Sequence, residues 1–339
     1  MRCIIAHSPW RDKRGPGATN IISLQLRTRC TYRFGIDLGG TKIEILALDA
    51  TGQERHRERV ATPRNDYAET VAAIVRLVRD AEGRLGGSGS VGIAAPGAIS
   101  QLTGRIKNAN STCLNGRPLL EDLQQQLQRE IRIANDANCF ALSEATDGAA
   151  AGGAVVFGVI LGTGVGGGVV VNGRLLTGAN AIAGEWGHNP LPVFLPDAGE
   201  LPGAECYCGK RGCIETWLSG PGLAKHFEQA TGRTFTAEQI VAQSPADAQC
   251  EAALQAYEDR LARSLAGVVN ILDPDVIVLG GGLSAVARWY DTVPRLWGRY
   301  VFSDAITTRL VPPRFGAASG ARGAAWLWRD EITQTRIDP

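Results

Sequence analysis

An α/β protein built of two duplicated lobes is what this chain predicts, and three observations carry the reading. Its 339 residues suffice for two separate cores. A unit of strand, glycine tip and returning strand occurs twice, at residues 33–48 and again at 155–171. Around these hairpins, apolar runs of strand length alternate with longer segments of helical period.

In chain order, folded structure is expected to begin at Tyr32. Residues 32–38 read as a strand, 37–42 (DLGGTK) as a turn, and Ile43 to Leu48 as the returning strand. Thr70 to Ala81 has Val71, Ile74, Val75 and Val78 on one face of a helix. Residues 83–90 read as a flexible connection. Val91 to Ala95 is a short strand stopped by Pro96-Gly97. Leu119 to Arg129 reads as a helix, Ile131 to Ala134 as a strand, and Ala137 to Ala151 as a helix. The second hairpin has a strand at 155–161, a glycine turn at 162–168 and a returning strand at 169–171. Residues 221–231 and 246–271 follow as helices, 275–279 as a strand ending in three glycines, and 318–328 as a closing helix.

Composition narrows the function classes. No apolar run approaches the ~20 residues that span a bilayer. Net charge is +1, but residues 1–33 carry +6, which leaves about −5 on the rest, the wrong sign for a nucleic-acid surface. The basic head, residues 1–31, has no folded pattern and is expected to be disordered. About thirty residues broken by Gly15-Pro16-Gly17 are too few for a helix-turn-helix module, which disfavours a DNA-binding repressor. The eight cysteines show no evenly spaced disulfide framework, so a reducing, cytoplasmic location is expected.

Cys206, Cys208 and Cys213 stand in a Cys-x-Cys-x4-Cys cluster, with His188 eighteen residues upstream. Three close cysteines are also compatible with buried thiols, or with a disulfide and a spare. The single residue between Cys206 and Cys208 strains a disulfide, whereas two short loops bring four ligands to a structural zinc. Glu185 and Glu215 flank this stretch, and carboxylates on well-held loops suit the hydroxyls of a polyol.

Three glycine clusters follow apolar strands. Gly39 and Gly40 form one, Gly162, Gly164 and Gly166 with Thr163 the second, and Gly280, Gly281 and Gly282 the third. Each alone is a turn. Together they suggest a nucleotide held between two lobes, the first two clusters on phosphates and the third along the nucleoside. Asp37 would hold Mg²⁺ through water, and Thr41 or Lys42 would reach a phosphate oxygen. Asn135-Asp136 sits where a strand meets a helix. Helix capping explains it as it stands, but a carboxylate at a cleft base also serves as the base in phosphoryl transfer.

From Phe34 to Trp328 the chain resembles the ROK family of bacterial sugar kinases and repressors. The matching motifs are GIDLGGTK (35–42), GTGVGGG (162–168), GEWGH (184–188) and CYCGKRGCIE (206–215). Finer stretches at 107–116, 135–145, 184–192 and 270–282 resemble the family's fructokinases. The resemblance implies two actin-like (ribonuclease H-like) lobes, one of residues 32–139 plus 318–336, the other of 140–317 with a zinc loop at 188–215. It also implies ATP and Mg²⁺ in the cleft, transfer to a sugar hydroxyl (C6 of fructose, or alternatively of mannose, glucose or an N-acetylhexosamine), and a homodimer. Asp136 is the implied base, with Gly97, Asn110, Asn135, Glu185, His188 and Glu215 on the sugar. His188, Cys206, Cys208 and Cys213 are the implied zinc ligands.

Overall fold

The computed structural model describes residues 31–109 and 111–329. The basic head and the expected end of the first lobe, 330–336, lie outside these. The first half runs β1 (Tyr32–Leu38), β2 (Lys42–Leu48), β3 (Glu54–Ala61), α1 (Tyr67–Leu85), β4 (Gly89–Ala95), β5 (Ala98–Ile99), β6 (Ile106–Lys107), α2 (Leu119–Leu127), β7 (Ile131–Asn135) and α3 (Asp136–Thr146). The second half runs β8 (Val155–Leu161), β9 (Val165–Val171), β10 (Arg174–Leu175), α4 (Glu215–Leu218), α5 (Gly220–Thr231), α6 (Ala237–Gln243), α7 (Ala248–Leu272), β11 (Val276–Gly280), α8 (Trp289–Trp297), β12 (Arg309–Val311) and α9 (Ser319–Trp326).

The duplication expected from the hairpins extends to whole sheets. One has the order β3-β2-β1-β4-β7, the other β10-β9-β8-β11-β12. In each, the first three strands form an antiparallel meander and the last two join parallel to the first. Central strands such as β1 and β11 are buried on both faces and read as apolar runs. β3, sequence ERHRERVA, escaped the sequence reading because it alternates charge with charge. That composition suits an edge strand, where exposed acids and arginines discourage pairing with another chain.

Boundaries shift for local reasons. α1 starts earlier than expected because Asp66 caps it, accepting from the Glu69 amide (3.0 Å), and it ends at Gly86 with φ +64°. The expected flexible connection at 83–90 thus shrinks to three residues. β9 begins at Val165, so the second glycine tip is only 162–164 and Gly166 to Gly168 lie in the strand. No described helix is long and apolar enough to cross a membrane.

Two helices occupy the space between the sheets. α9 packs on β1 and β4, α3 packs on β8 and β9, and the two pack on each other. The expected lobe boundary at 139/140 falls inside α3. Contact is at backbone distance. Gly35 and Gly92 are cross-strand partners, and a Cβ on either would lie 1.8 or 1.9 Å from a carbonyl oxygen of α9 (Ala321 or Ala324). A Cβ on Gly323 would lie 1.7 Å from the Cys139 carbonyl of α3. Fully buried Glu144 fastens the far end: its carboxylate accepts from the amides of Ala149 (2.9 Å), Arg314 (3.0 Å) and Phe315 (3.3 Å) and from Ser319 Oγ (2.8 Å).

Since backbone cannot yield to a methyl group at these distances, Gly92→Ala is expected to destabilise the chain by about 1–3 kcal/mol or more. A urea midpoint lowered relative to the parent, with an unchanged slope, checks this.

Candidate active site

β1, β4 and β7 run parallel, and their carboxyl ends open on one cleft, the usual place for a ligand on such a sheet. A cavity of about 370 Å³ there is lined by Asp37, Gly39 and Gly40 from the first hairpin, Pro96 after β4, Ser111 to Cys113, and Asp136 at the start of α3. The residues from Thr62 to Asn65 complete it. Burial pushes the Asp37 carboxyl up to about 6, helped by the negative charges of Asp136 and Glu44. Burial likewise raises Asp136, against the hydrogen bond that its Oδ1 accepts from the Ala137 amide (2.8 Å). Two buried carboxyls with raised proton affinity lining one cleft suit a divalent cation. Asp37 is also close under the first turn of α9, where a Cβ on Gly320 would meet its Oδ2 at 2.9 Å.

Asn135 keeps the capping role that its position suggested. Its Oδ1 accepts from the Ala137 amide (2.8 Å) and its Nδ2 donates to the Gly97 carbonyl (3.1 Å). Gly97 takes φ +75° where any Cβ would strike the Lys107 carbonyl oxygen at 2.3 Å. Both residues therefore shape the floor beside Asp136. Asn110 lies outside the described residues.

GEWGH is a plug with functional groups at both ends. Trp186 is buried, edge-on to Phe157, and donates from Nε1 to the Gly166 carbonyl (2.9 Å). Gly184 and Gly187 let the backbone close on β9, where Cβ atoms would stand 2.5 and 2.1 Å from carbonyl oxygens of Gly167 and Val165. Glu185 and His188 are thereby fixed on either side of Trp186. Burial raises Glu185, with the charges of Asp136 and Glu215 adding to it and His188 opposing, which puts all four groups in one electrostatic neighbourhood. Glu215 opens α4, and its Oε2 accepts from the Val165 amide (3.0 Å).

The ligand atoms of His188, Cys206, Cys208 and Cys213 lie within 4.8 Å of one another. His188 Nδ1 is 3.6 Å from Cys206 Sγ, and Cys208 Sγ is 3.6 Å from Cys213 Sγ. Zinc bonds of about 2.0–2.3 Å set tetrahedral edges of about 3.5–3.8 Å, which these two pairs match, and the donor set of one imidazole and three thiols suits that ion. Short backbone links hold the knuckle: Cys206 N–H to the Lys210 carbonyl (2.9 Å), Gly209 N–H to that of Cys206 (3.0 Å), and Ile214 N–H to that of Asn189 (2.9 Å). His188 Nε2 meets the Tyr207 hydroxyl at 3.1 Å, a partner that sequence reasoning missed.

A second cavity, about 720 Å³, lies between the other glycine turns. Gly162, Thr163, Gly220, Gly282 and Leu283 line it with the segment from Thr234 to Gln239. Beyond Gly162 and Gly282 a Cβ would find nothing within 4 Å, so these turns face open space.

Several of the expected nucleotide contacts, to phosphate or nucleoside, are placed elsewhere. A Cβ on Gly164 would run into Glu215 Oε2 at 2.6 Å, so its bareness seats that carboxylate. Gly166 lies in β9 against Ala137 of α3. Gly280 ends β11 beneath the Phe140 ring, and Gly281, at φ +79°, backs onto the Leu161 carbonyl. Thr41 and Lys42 do not line the Asp37 cavity. Their carbonyls close the tip instead, accepting from Thr62 N–H (3.0 Å) and Gly39 N–H (3.0 Å). Lys42 acts on Asp37 only through its charge.

Known proteins bear on these sites. Residues 33–331 match the ROK family. The N-acetyl-D-glucosamine kinase of Pectobacterium atrosepticum is 41% identical over 297 residues, 87% of this chain and 98% of that one. Its counterpart in Yersinia pseudotuberculosis is 40% identical over the same shares. Among solved structures, a ROK hexokinase from Thermus thermophilus superposes with a TM-score of 0.79 at 30% identity, over 89% of this chain and 99% of that one. A ROK glucokinase from Streptomyces griseus, in complex with glucose and AMPPNP, gives 0.70 at 26%, over 88% and 99%. The chain therefore belongs to the ROK family, and its fold is the actin-like fold of that family's sugar kinases.

Proposed function

We propose that this ROK sugar kinase transfers the γ-phosphoryl group of ATP to the primary 6-hydroxyl of N-acetylglucosamine. The observation that carries the transfer is Asp136, a buried carboxylate with raised proton affinity, facing the same cleft as Asp37. The named relatives at 40–41% identity support the sugar. Fructose, which the stretches at 107–116, 135–145, 184–192 and 270–282 favoured, becomes the second reading on those stretches alone.

In the proposed reaction, Asp136 accepts the proton of the 6-hydroxyl as that oxygen bonds to the γ-phosphorus. The bond from phosphorus to the bridging oxygen breaks, and ADP leaves with its electron pair. Glu185 and Glu215 accept hydrogen bonds from other sugar hydroxyls, and His188 holds the loop between them. Asp37 would hold magnesium through water, and the ion would supply charge neutralisation at the phosphates. The turns at Gly162-Thr163 and Gly282 border the nucleotide. Such catalysis rests on positioning and charge more than on covalent chemistry.

A panel of sugars with MgATP tests the substrate. N-acetylglucosamine is expected to give the largest kcat/KM, with fructose, glucose and mannose at least about tenfold lower. Fructose at the head of the series would install the second reading.

Both carboxyls act ionised, so kcat/KM is expected to fall as pH drops through about 6, where Asp37 takes up its proton. Asp136→Asn should fold like the parent and lose on the order of 10²–10⁴ in turnover at any pH. A rate that stays level down to pH 5, or a near-normal Asn variant, is the contrary result.

The proposal includes zinc on His188, Cys206, Cys208 and Cys213, supported by the convergence of those four ligand atoms within 4.8 Å and by two pairs at 3.6 Å. One zinc per chain is expected by elemental analysis. Cys208→Ser should lower the melting temperature and raise the sugar KM on the order of tenfold, with little change in the KM for ATP.

A further inference from the structure

We propose that Arg64 is a catalytic residue, binding the phosphoryl group as it passes from ATP to the sugar. The inference rests on the sugar-kinase reading and adds to it a residue that no motif announced.

The charge inventory of the Asp37–Asp136 cavity motivates it. Thirteen residues line that space, and Arg64 is the one cation among them, set against two carboxylates. The group in flight brings still more negative charge into the same cavity, so a cation on its wall has an electrostatic task there. Lys42, assigned to phosphate on sequence grounds, does not line the cavity.

Arg64 is also uncommitted. It is exposed, and among the described residues its guanidinium has no hydrogen bond, ion pair or ring contact. Most other arginines near this lobe's surface are engaged, Arg57 and Arg59 with Glu44, Arg76 with Glu69, and Arg129 with Glu82. A planar fork with five donors and no protein partner matches phosphate oxygens well.

The backbone beneath it, in contrast, is pinned on both sides. Thr62 donates from Oγ1 to the Gly39 carbonyl (2.7 Å) and from N–H to that of Thr41 (3.0 Å), which ties the segment to the first glycine tip. Two residues later, Asp66 caps α1. Asn65, at φ +58°, makes the turn between these anchors. Arg64 thus rides on a fixed support with a free side chain. The strand β3, which delivers the chain to Thr62, acquires a purpose beyond closing the sheet edge.

In the transfer step, the sugar oxygen bonds to phosphorus, its proton goes to Asp136, and the bridging oxygen leaves on ADP. Arg64 donates N–H groups to the equatorial phosphoryl oxygens throughout and changes no bond of its own.

Two measurements test this, one kinetic and one independent of the sugar. Arg64→Met should keep the parent's melting temperature, since no partner is lost, and drop kcat on the order of 10²–10³-fold. Arg64→Lys should recover only part of the rate, because a point charge lacks the fork. Separately, phenylglyoxal labelling read by peptide mapping should modify Arg64 in the parent and be suppressed by MgATP. A Met variant whose kcat stays within about threefold of the parent overturns the proposal, as does labelling of Arg64 that MgATP leaves unchanged. A parent that phosphorylates none of the sugars would overturn the functional reading instead, while the labelling result would still decide Arg64.

Discussion

Everything in the cleft depends on how closely α9 approaches its neighbours. Three glycines, Gly35 on β1, Gly92 on β4 and Gly323 on the helix, remove the side chains that would hold it off, and carbonyl oxygens occupy the space. Because α9 touches the first sheet and α3, and α3 lies on the second sheet, one backbone-to-backbone contact couples both sheets. Interiors packed at this density pass displacement on instead of absorbing it. The chemistry sits at the edge of that contact. Asp136 begins α3, Asp37 ends β1 under the first turn of α9, and the missing Cβ of Gly320 leaves room for its carboxylate. Glu144 and Asp147 then secure the opposite end. Glu144 gathers three amides and a hydroxyl, and Asp147 accepts from Arg322 Nε (3.0 Å) and Trp326 Nε1 (3.2 Å). Removing such a carboxylate strands several buried donors at once, which costs more than any single bond is worth.

The glycine clusters illustrate how one residue type serves opposite ends. At Gly162 and Gly282 the missing side chain faces an open cavity, as a ligand would require. At Gly164, Gly166 and Gly280 the same absence is filled from within, by Glu215, Ala137 and Phe140. A string such as GTGVGGG looks uniform when written out. In the strand, alternate residues face opposite sides, and the helix α3 claims the face of Gly166 and Gly168.

That difference marks what the sequence makes legible. The duplication, the two hairpins and the four-ligand cluster are local patterns with short spacings, and the structure reproduces them. Asn135-Asp136 was legible as a cap and as a cleft carboxylate, and it is both in position. β3 was invisible because its strand character comes from pairing with β2, whereas six of its eight residues are glutamate, arginine or histidine. Tyr207 and Arg64 escaped for another reason. Tyr207 meets His188 nineteen residues away, and Arg64 comes to the cavity wall because Thr62, two residues before it, is tied to the glycine tip at Gly39; no periodicity encodes such meetings. The preferred sugar was the least legible property. Discrimination at one substituent comes from pocket shape set by several loops, while the motifs of the transfer centre are common to all the sugars considered.

The loop from His188 to Cys213 shows how a candidate site is held from behind. Between His188 and Cys206 the chain makes a long excursion that the His188, Cys206, Cys208 and Cys213 cluster alone would leave loose. Its anchor is a buried charge cluster on α7. Glu200 and Arg263 are both about 1% exposed and pair at 2.6 Å, while Arg260 adds a second cation at 2.9 Å. Arg263 also donates to the carbonyls of Pro192 (2.8 Å) and Val193, just after His188. Burying a charge is unfavourable in itself, so a cluster like this contributes specificity of position more than net stability. Arg260 extends the same cluster by lying 4.6 Å over the Trp217 ring, two residues past Glu215. His188 and Glu215 stand at the two ends of this loop, and α7 supports the segments that carry both. The side of the cleft that carries His188 and Glu215 is thus fixed to one long helix, while the Asp37 and Asp136 side is fixed through α9.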